Sequence, residues 1–266
     1  MRCSRSGVNP EETGRLAESV SRSETSEVNP EETGRLAESV SRSETPDLAD
    51  NKNLTEVFEM INDLKHLAEQ NGYKLEFAPV HMLKSMQQQL TQFTKEPYVH
   101  LKQKKNVAGQ LPYLQAIEQT AGKYTSVIIV AVPRSDFKHH QKAAAILIKD
   151  AVKKAGYIIK NQSTGLPFKR LAVQSELAKY GRNNITYVDG MGSWCKYIAL
   201  LTNIPCDSSS WRDQPIMAAA CENCDLCINA CPTGAISKDR FLLLREKCIG
   251  GGGCSACQDI CPMNRK

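Results

Sequence analysis

The sequence predicts an α/β protein, in which a layered domain of strands and helices is followed by a short cysteine-rich module. Strand-like and helix-like segments alternate between residues 53 and 210, which is typical of helices packed on a sheet. Eight of the eleven cysteines then fall in the last 46 residues. We therefore expect a duplicated, flexible tail at 1–50, the α/β domain at 51–212 and the cysteine-rich module at 213–266.

Hydrophobic spacing defines the elements of the α/β domain. The β-branched run at 125–132 predicts a buried central strand that ends at Pro133. Shorter runs predict strands at 75–80, 157–160, 185–188 and 197–202. Apolar residues at helical spacing predict helices at 53–71, 82–93, 112–119, 141–154 and 167–180. The basic stretch around Lys102, Lys104 and Lys105 is expected to be a loop.

The N-terminal segment contains a tandem repeat. Ser6–Thr25 and Ser26–Thr45 are identical at 19 of 20 positions. Each copy has a good helix start, with asparagine, proline and glutamate in capping positions, but only a thin apolar stripe behind it. Two interpretations remain open: a disordered tail, or a docking or targeting element.

Composition and charge limit the classes of function. The hydrophobic content of 41% is ordinary for a soluble protein, and no apolar run reaches the roughly 18 residues of a membrane helix. No secretory or twin-arginine signal is visible, so we expect no membrane association. Residues 1–50 carry 6 basic and 11 acidic side chains, a net charge of −5. Because the whole chain has a net charge of +5, the rest of it carries +10. A basic body suits an acidic redox partner or a nucleic acid, or is a solvated mixed surface.

The cysteines of the C-terminal module fall in two runs with the spacing of metal ligands. The first run is C-x2-C-x2-C-x3-C-P and the second is C-x5-C-x2-C-x3-C-P. The first pattern is the bacterial ferredoxin signature, so we predict a ferredoxin-like module with two [4Fe–4S] clusters that transfers electrons. The eight predicted ligands are Cys221, Cys224, Cys227, Cys231, Cys248, Cys254, Cys257 and Cys261.

In ferredoxins, the fourth cysteine of each run serves the cluster of the other run. This rule assigns the first cluster to Cys221, Cys224, Cys227 and Cys261. It assigns the second cluster to Cys231, Cys248, Cys254 and Cys257. Gly251 stands where a ferredoxin has the first cysteine of its second run, and the glycines before Cys254 would let Cys248 reach the cluster. The alternative is a core thiol at Cys248 and a three-cysteine second cluster.

Zinc binding and disulfide formation explain the cysteines less well. Zinc also uses pairs of C-x2-C units, but it does not explain the third evenly spaced cysteine or the two Cys-Pro endings. Ligand spacing indicates thiolates in a reducing cytosol rather than disulfides, and hence a cytoplasmic protein. Cys195 and Cys206 lie on or near predicted strands and are expected to be buried structural thiols, with metal ligation or redox chemistry as the alternative.

Several sequence blocks carry a resemblance to a known family. They are SVIIVAVP at 126–133, LAVQSELAKYGRNNITYV at 171–188, GMGSW at 190–194, LLTNIPCD at 200–207 and CENCDLCINACPTGAISKDRFLL at 221–243. Together they resemble the epoxyqueuosine reductases and their short relatives with a double 4Fe–4S domain, and are similar to corrinoid reductive dehalogenases. The resemblance implies a corrinoid-reductase-like α/β domain that holds cobalamin beside the clusters, and an electron donor such as ferredoxin or flavodoxin.

The resemblance also singles out a polar block for cofactor binding. Its residues are Gly181, Arg182, Asn183, Asn184 and Tyr187. In the functional interpretation they hold a corrinoid or a small-molecule substrate, and Tyr187 is a weak candidate for a proton donor. In the structural interpretation the block is a helix C-cap followed by a turn. No catalytic residue is assigned from the sequence.

Two departures from the family bear on the reaction. The family uses an aspartate as proton donor, whereas no acidic residue lies between Asp150 and Glu176. The family's C-terminal helical repeats, which help to hold transfer RNA, are not seen, so transfer RNA is expected to be an unlikely partner. We therefore expect an iron–sulfur oxidoreductase that passes single electrons through two clusters to a cofactor or substrate. The alternatives are a non-catalytic electron-transfer subunit and an epoxyqueuosine reductase with a displaced proton donor.

Overall fold

The structure is a computed structural model that describes residues 48–120, 122–162, 165–207, 209, 211–238, 243–250 and 253–264, with side chains from Leu54 onward. The tandem repeat lies outside the described residues, so both interpretations of it stay predictions. In the described part of the chain, no helix is long and apolar enough to cross a membrane.

A sheet forms the middle layer of the α/β part. In spatial order its strands in the described residues are β1 (Lys74–Pro79), β2 (Ser126–Pro133), β6 (Cys195–Thr202) and β3 (Ile159–Gln162), and every neighbouring pair is antiparallel. Strand β2 is buried along Ser126–Val132, which confirms the predicted central strand. Its length and its β-branched composition suit a strand that is covered on both faces.

Helices cover both faces of this sheet. The elements are α1 (Leu48–Gln70), α2 (Leu83–Lys95), α4 (Leu111–Glu118), α5 (Phe137–Lys154) and α6 (Phe168–Gln174). Alternate residues of β2 point to opposite faces. One set, Ile128, Val130 and Val132, packs in a core with residues of α1 and α5, whereas Val127, Ile129 and Ala131 pack in a core with residues of α2, α4 and α6. The predicted layered α/β architecture is therefore confirmed.

The basic stretch predicted to be a loop is instead a helix, α3 (Leu101–Ala108). His100 caps its start, because the ring Nδ1 of His100 accepts a hydrogen bond from the backbone N–H of Lys102 at 3.3 Å. None of the residues of α3 is buried. The prediction of a loop was wrong because this helix lacks the apolar stripe by which amphipathic helices are recognised in a sequence.

The helix predicted at 167–180 was too long. Helix α6 ends at Gln174, and Glu176 adopts a left-handed backbone with φ of 62°, which stops the helix. Residues Lys179–Tyr180 form strand β4 and pair with strand β5 (Thr186–Tyr187). The backbone of Tyr180 also donates to Ile216 O and accepts from Ala218 N–H, both at 2.9 Å.

The cysteine-rich part has little regular structure. Its described residues form 3-10 turns at Ala219–Cys221 and Pro262–Asn264 and two short helices, α7 (Leu226–Asn229) and α8 (Ala256–Asp259). A small core of Cys227, Ala235, Ile236 and Leu243 holds it together. The α/β part and this part lie in one compact unit, Pro46–Lys266, and the boundary at residue 212 stays a prediction.

Two isoleucines of α5 offer a matched test of this packing. Ile148 is 0% exposed and Ile146 is 50% exposed. Ile148→Ala is expected to lower the free energy of unfolding by about 2–5 kcal/mol, because it leaves a cavity between α5 and the sheet. Ile146→Ala is expected to change it by no more than about 0.5 kcal/mol. Urea denaturation followed by circular dichroism checks both, and equal losses would contradict the packing described.

Candidate functional site

The β4–β5 hairpin connects the α/β part to the cysteine-rich part. Its loop is closed by a hydrogen bond from Gly181 N–H to Ile185 O at 2.7 Å, and Asn184 takes a left-handed backbone with φ of 59°. A Cβ atom at Gly181 would lie 2.5 Å from the ring of Tyr187, so only glycine fits there. Because β4 pairs with the segment that ends in Ala218, the hairpin fixes the backbone just ahead of Cys221.

The side chain of Arg182 binds the first cysteine loop. Its guanidinium donates to the backbone carbonyls of Cys221 at 2.8 Å and Glu222 at 2.9 Å. It also pairs with the carboxylate of Asp225 at 3.1 Å. Arg182 is 7% exposed. A planar guanidinium can satisfy several acceptors at once, which lysine cannot.

Asn183 and Tyr187 contact the other cysteine run. The amide nitrogen of Asn183 donates to the hydroxyl of Tyr187 at 2.9 Å and to the backbone carbonyl of Cys257 at 3.2 Å. Tyr187 and Cys261 line the same small cavity. Burial raises the pKa of Tyr187, so the phenol stays protonated. Both side chains are 3% exposed.

The GMGSW block holds the end of the cysteine-rich part. Ser193 donates from its backbone N–H and from its hydroxyl to the side-chain carbonyl of Asn264, and its hydroxyl accepts from Gln258 at 3.1 Å. Gly192 comes so close that a Cβ atom there would lie 3.3 Å from Met263 O. The GRNN segment at 181–184 and the GMGSW block at 190–194 therefore fasten the cysteine-rich part to the α/β part.

One set of thiols lines a small cavity, which we name the first thiol cavity. Its volume is about 20 Å³. The pKa of Cys227 is raised to about 11, mainly by burial and further by the neighbouring cysteines. Charged thiolates this close would repel one another, so their ionised form needs a bridging cation. Arg182, Asn183 and Tyr187 also line this cavity, and its cysteines are Cys221, Cys224, Cys227 and Cys261.

The other set lines a larger neighbour, the second thiol cavity, with a volume of about 270 Å³. Two of its sulfurs accept backbone N–H groups, Cys231 from Ala235 at 3.3 Å and Cys248 from Gly250 at 3.4 Å. Burial raises the pKa of Cys257, and the neighbouring thiols add to the shift. Lys169 and Arg245 bring positive charge to the wall, and the cysteines are Cys231, Cys248, Cys254 and Cys257.

The two sets of thiols are those predicted from spacing. Cys231 leaves the first run for the second cavity, and Cys261 leaves the second run for the first cavity. In the described residues no group of three or more His, Cys, Asp or Glu side chains is close enough to hold one metal ion. A donor set of four thiols around each cavity, with cations or amide groups in the wall, fits an iron–sulfur cluster. The ligand roles themselves are proposals.

A large cavity of about 650 Å³ opens beside the second thiol cavity. It lies between α2, α3, the start of α6 and the β4–β5 hairpin, and no carboxylate lines it among the described residues. Lys169 and Asn184 line both cavities. The buried Nε of Arg170 has no hydrogen-bond partner in the described part of the chain. The other polar residues that line the large cavity are Gln103, Asn106, Gln110, Arg170 and Tyr180.

The polar block predicted to bind a cofactor divides between these cavities. Gly181 and Asn184 line the large cavity, whereas Arg182, Asn183 and Tyr187 face the cysteine loops instead. Sequence reasoning missed the other polar residues of the large cavity. The spacing of Gln103 and Asn106, one turn apart on α3, was the available signal, but that segment was taken for a loop.

Titratable groups at the large cavity have shifted pKa values. Burial lowers the pKa of Lys169, and Arg245 lowers it further. Burial raises the pKa of Tyr180 to about 12, against the opposite effect of Arg170. Burial also lowers the pKa of Arg170. Lys169 is therefore one of two lining groups whose protons are held less tightly than usual.

Cys195 and Cys206 line neither thiol cavity. Burial raises the pKa of Cys195, and it raises that of Cys206 to about 11. The sulfur of Cys206 accepts a hydrogen bond from Ser126 at 3.1 Å, and both thiols pack against the cores of the α/β part. This environment agrees with the structural interpretation of both cysteines.

The chain is similar to several known proteins. Residues 215–237 match the family model for a 4Fe-4S binding domain. Curated proteins named epoxyqueuosine reductase match it at 29% identity in Cyclobacterium marinum (36% of this chain, 36% of that protein) and at 30% in Synechococcus sp. RCC307 (39% and 36%). The chain thus spans little more than a third of the length of these relatives.

Solved structures agree with the fold. The epoxyqueuosine reductase of Bacillus subtilis superposes with a TM-score of 0.60 at 20% identity, covering 79% of this chain and 66% of that one. An epoxyqueuosine reductase with an epoxyqueuosine-modified tRNA-Tyr stem loop superposes with a TM-score of 0.53 at 18% identity, covering 78% and 66%. The resemblance to epoxyqueuosine reductases predicted from the sequence is confirmed.

These findings correct one expectation. Transfer RNA was expected to be an unlikely partner, because helical repeats were not seen after Cys261. The curated relatives are named for a reaction on epoxyqueuosine, and one similar structure contains a tRNA stem loop. The expectation was wrong because it depended on where the sequence stops, and that position says nothing about what the folded part binds.

Arg182 gives a test of the contact between the hairpin and the cysteines. Arg182→Met is expected to speed loss of iron to a chelator severalfold, because hydrogen bonds from a charged group are worth about 1.5–3 kcal/mol and two backbone carbonyls lose their donor. The control is Arg212→Met, since Arg212 is an exposed residue whose ion pair with Glu176 is worth at most about 1 kcal/mol. Iron release is followed by absorbance under anaerobic conditions. Equal release rates in the two variants would contradict this role of Arg182.

Proposed function

We propose that the chain is an iron–sulfur oxidoreductase of the epoxyqueuosine reductase type. In this proposal it passes single electrons through two [4Fe–4S] clusters to a substrate or cofactor in the large cavity. The observation that carries the proposal is the partition of eight cysteines into two cavities, one of which adjoins the large cavity. The match of residues 215–237 to a 4Fe-4S binding domain supports it.

The proposed ligands of the first cluster are the cysteines of the first thiol cavity, and those of the second cluster are the cysteines of the second. Bound clusters supply one-electron transfer. The protein fixes their position through Arg182 and Ser193, which hold the two ends of the module. Lys169 and Arg245 offset negative charge at the second cavity. Ile236 and Leu243 line the same cavity and limit access of water.

The wall of the large cavity indicates what it would accept. Its polar groups are amides and the cations Lys169 and Arg170, with no carboxylate among the described lining residues. Such a wall favours a ligand that is neutral or anionic and rich in hydrogen-bonding groups. A corrinoid and an epoxyqueuosine nucleotide of transfer RNA both meet this description. Gly181 and Asn184 would contact such a ligand.

A reductive reaction at this cavity needs a proton donor. The family's aspartate is missing between Asp150 and Glu176, and Tyr187 faces the first thiol cavity. We propose Lys169 for this role, because it lines the cavity and its lowered pKa eases release of a proton. Its position at the border of the second thiol cavity puts proton and electron at the same end of the large cavity.

The first experiment loads the protein and offers it each ligand. Anaerobic reconstitution is expected to give about eight iron and eight sulfide per chain, as two [4Fe–4S] clusters require. The reduced protein is then mixed with hydroxocobalamin and, separately, with epoxyqueuosine-modified tRNA-Tyr stem loop. Reduction of cobalt, seen as a change in the cobalamin absorbance bands, would support the proposed oxidoreductase activity. Formation of queuosine when cobalamin is added would support it as well.

The possible outcomes separate the alternatives. If the protein binds both clusters but carries out neither reaction, the proposed enzymatic activity is wrong and the electron-transfer subunit remains. Colourless protein loaded with zinc would remove the cluster proposal altogether. Lys169→Gln serves as the matched variant, and it is expected to keep its iron while losing at least about 100-fold in turnover, the usual contribution of a general acid.

The exchanged cysteines give a sharper prediction. Cys261→Ser is expected to alter the EPR signal of the first cluster, and Cys231→Ser that of the second, although each residue belongs to the other sequence run. Cys206→Ser is the control, because Cys206 lines neither thiol cavity. Iron analysis and EPR of the dithionite-reduced proteins check this. If Cys261→Ser instead alters the signal of the second cluster and Cys231→Ser that of the first, the ligands are not exchanged between the runs.

A further inference from the structure

Arg170 is a partly buried cation in the wall of the large cavity. Within the described residues it forms no ion pair, and its buried Nε has no hydrogen-bond partner. Lys169 lines the same cavity, and it too forms no ion pair within the described residues. Because withdrawing a charge from water without a counter-charge is costly, this wall suits a ligand that brings the negative charge itself.

A neutral amide, and not a carboxylate, holds the guanidinium of Arg170 in place. Its Nη2 donates to the side-chain oxygen of Gln89 at 2.8 Å. The same oxygen accepts from the side-chain nitrogen of Gln174 at 3.1 Å, and that nitrogen also donates to the backbone carbonyl of Asp213 at 2.8 Å. Gln174 is 0% exposed. These contacts join α2 and α6 to the segment that contains Asp213 and fix the guanidinium between them.

The chemistry of the partners fixes the direction of both amides. Arginine carries only donors, so Gln89 turns its oxygen to Arg170 and its nitrogen to Ser85, whose hydroxyl accepts at 3.3 Å. Gln174 faces two acceptor oxygens, so its nitrogen points at them. Gln89 therefore positions the guanidinium without bringing a negative charge that would offset it. A glutamate of the same shape would do both.

We propose that Arg170, positioned by Gln89 and Gln174, recognises a phosphate group of the ligand in the large cavity. The inference rests on the proposed function, because both ligands named there, cobalamin and a nucleotide of transfer RNA, carry a phosphodiester and no carboxylate. A planar guanidinium forms charge-assisted hydrogen bonds with phosphate oxygens. Lys169 adds a second cation to the same wall.

The test is Gln89→Glu, which keeps the acceptor oxygen and the shape of the side chain but places a carboxylate against Arg170. Because the charge of the guanidinium is then offset, the affinity for cobalamin is expected to fall at least about tenfold, as for the loss of one hydrogen bond to a charged group. Cobinamide, a corrinoid that lacks the phosphodiester, is expected to keep its affinity. Isothermal titration calorimetry on the anaerobically reconstituted full chain measures both.

Gln88→Glu is the matched control, because it adds the same charge at the neighbouring, exposed position of α2. It is expected to change neither affinity by more than about twofold, since salt screens an exposed charge. Structural damage by either variant would weaken cobalamin and cobinamide alike. The difference between the two corrinoids therefore isolates the effect of the charge.

Inorganic pyrophosphate provides a second measurement, which uses the unaltered protein. It is expected to weaken the binding of cobalamin but not that of cobinamide, because only cobalamin would occupy the phosphate site at Arg170. Should Gln89→Glu fail to fold, this competition still decides. Competition with both corrinoids, or with neither, would overturn the role of Arg170. Direct titration is expected to show that pyrophosphate binds Gln89→Glu at least about tenfold more weakly than the unaltered protein.

The outcomes separate this inference from the proposed function. If the unaltered protein binds neither a corrinoid nor the stem loop, the proposed ligands of the large cavity are wrong, and direct titration with pyrophosphate decides the role of Arg170. If cobalamin binds but Gln89→Glu weakens both corrinoids equally, or neither, only the role of Arg170 fails. An equal loss of cobalamin affinity in Gln88→Glu would also overturn that role, since any added carboxylate on α2 would then do the same.

Discussion

The contact of one guanidinium with two backbone carbonyls underlies the rest of the site. Arg182 reaches from the β4–β5 hairpin to Cys221 O and Glu222 O, where a loop with almost no regular structure has few other partners. A short cysteine-rich segment has too small an apolar core to fix its own loops. The α/β part supplies the missing order through a charged group that is itself buried and donates to both carbonyls.

The hairpin links three regions that would otherwise be independent. Its first strand pairs with residues ahead of Cys221, its loop binds both cysteine runs, and Asn184 reaches the wall of the large cavity. The distance between the thiol cavities and the large cavity is therefore set by a rigid, hydrogen-bonded turn. For electron transfer, such a turn holds the thiol cavities and the large cavity in a fixed orientation without a conformational change.

The sequence allowed prediction of the features that depend on local spacing. Ligand spacing in the cysteine runs predicted which thiols share a cavity, and β-branched composition predicted β2. The hairpin was missed because Leu171, Ser175 and Ala178 keep a helical period, whereas Glu176 breaks the helix with a left-handed backbone. The partner of Tyr180 lies at Ile216–Ala218, far along the chain, and no local pattern reveals it. The large cavity was missed for the same reason, since its wall comes from separate elements.

The exchange of Cys231 and Cys261 has a consequence for how such a protein is made. If the proposed ligands are correct, the first cluster lacks its last thiol until Cys261 has left the ribosome, and the second lacks its last thiol until Cys257 has done so. Neither cluster could then be completed by its own cysteine run alone. Damage to one cluster by oxygen would also free a cysteine run that supplies a ligand to the other.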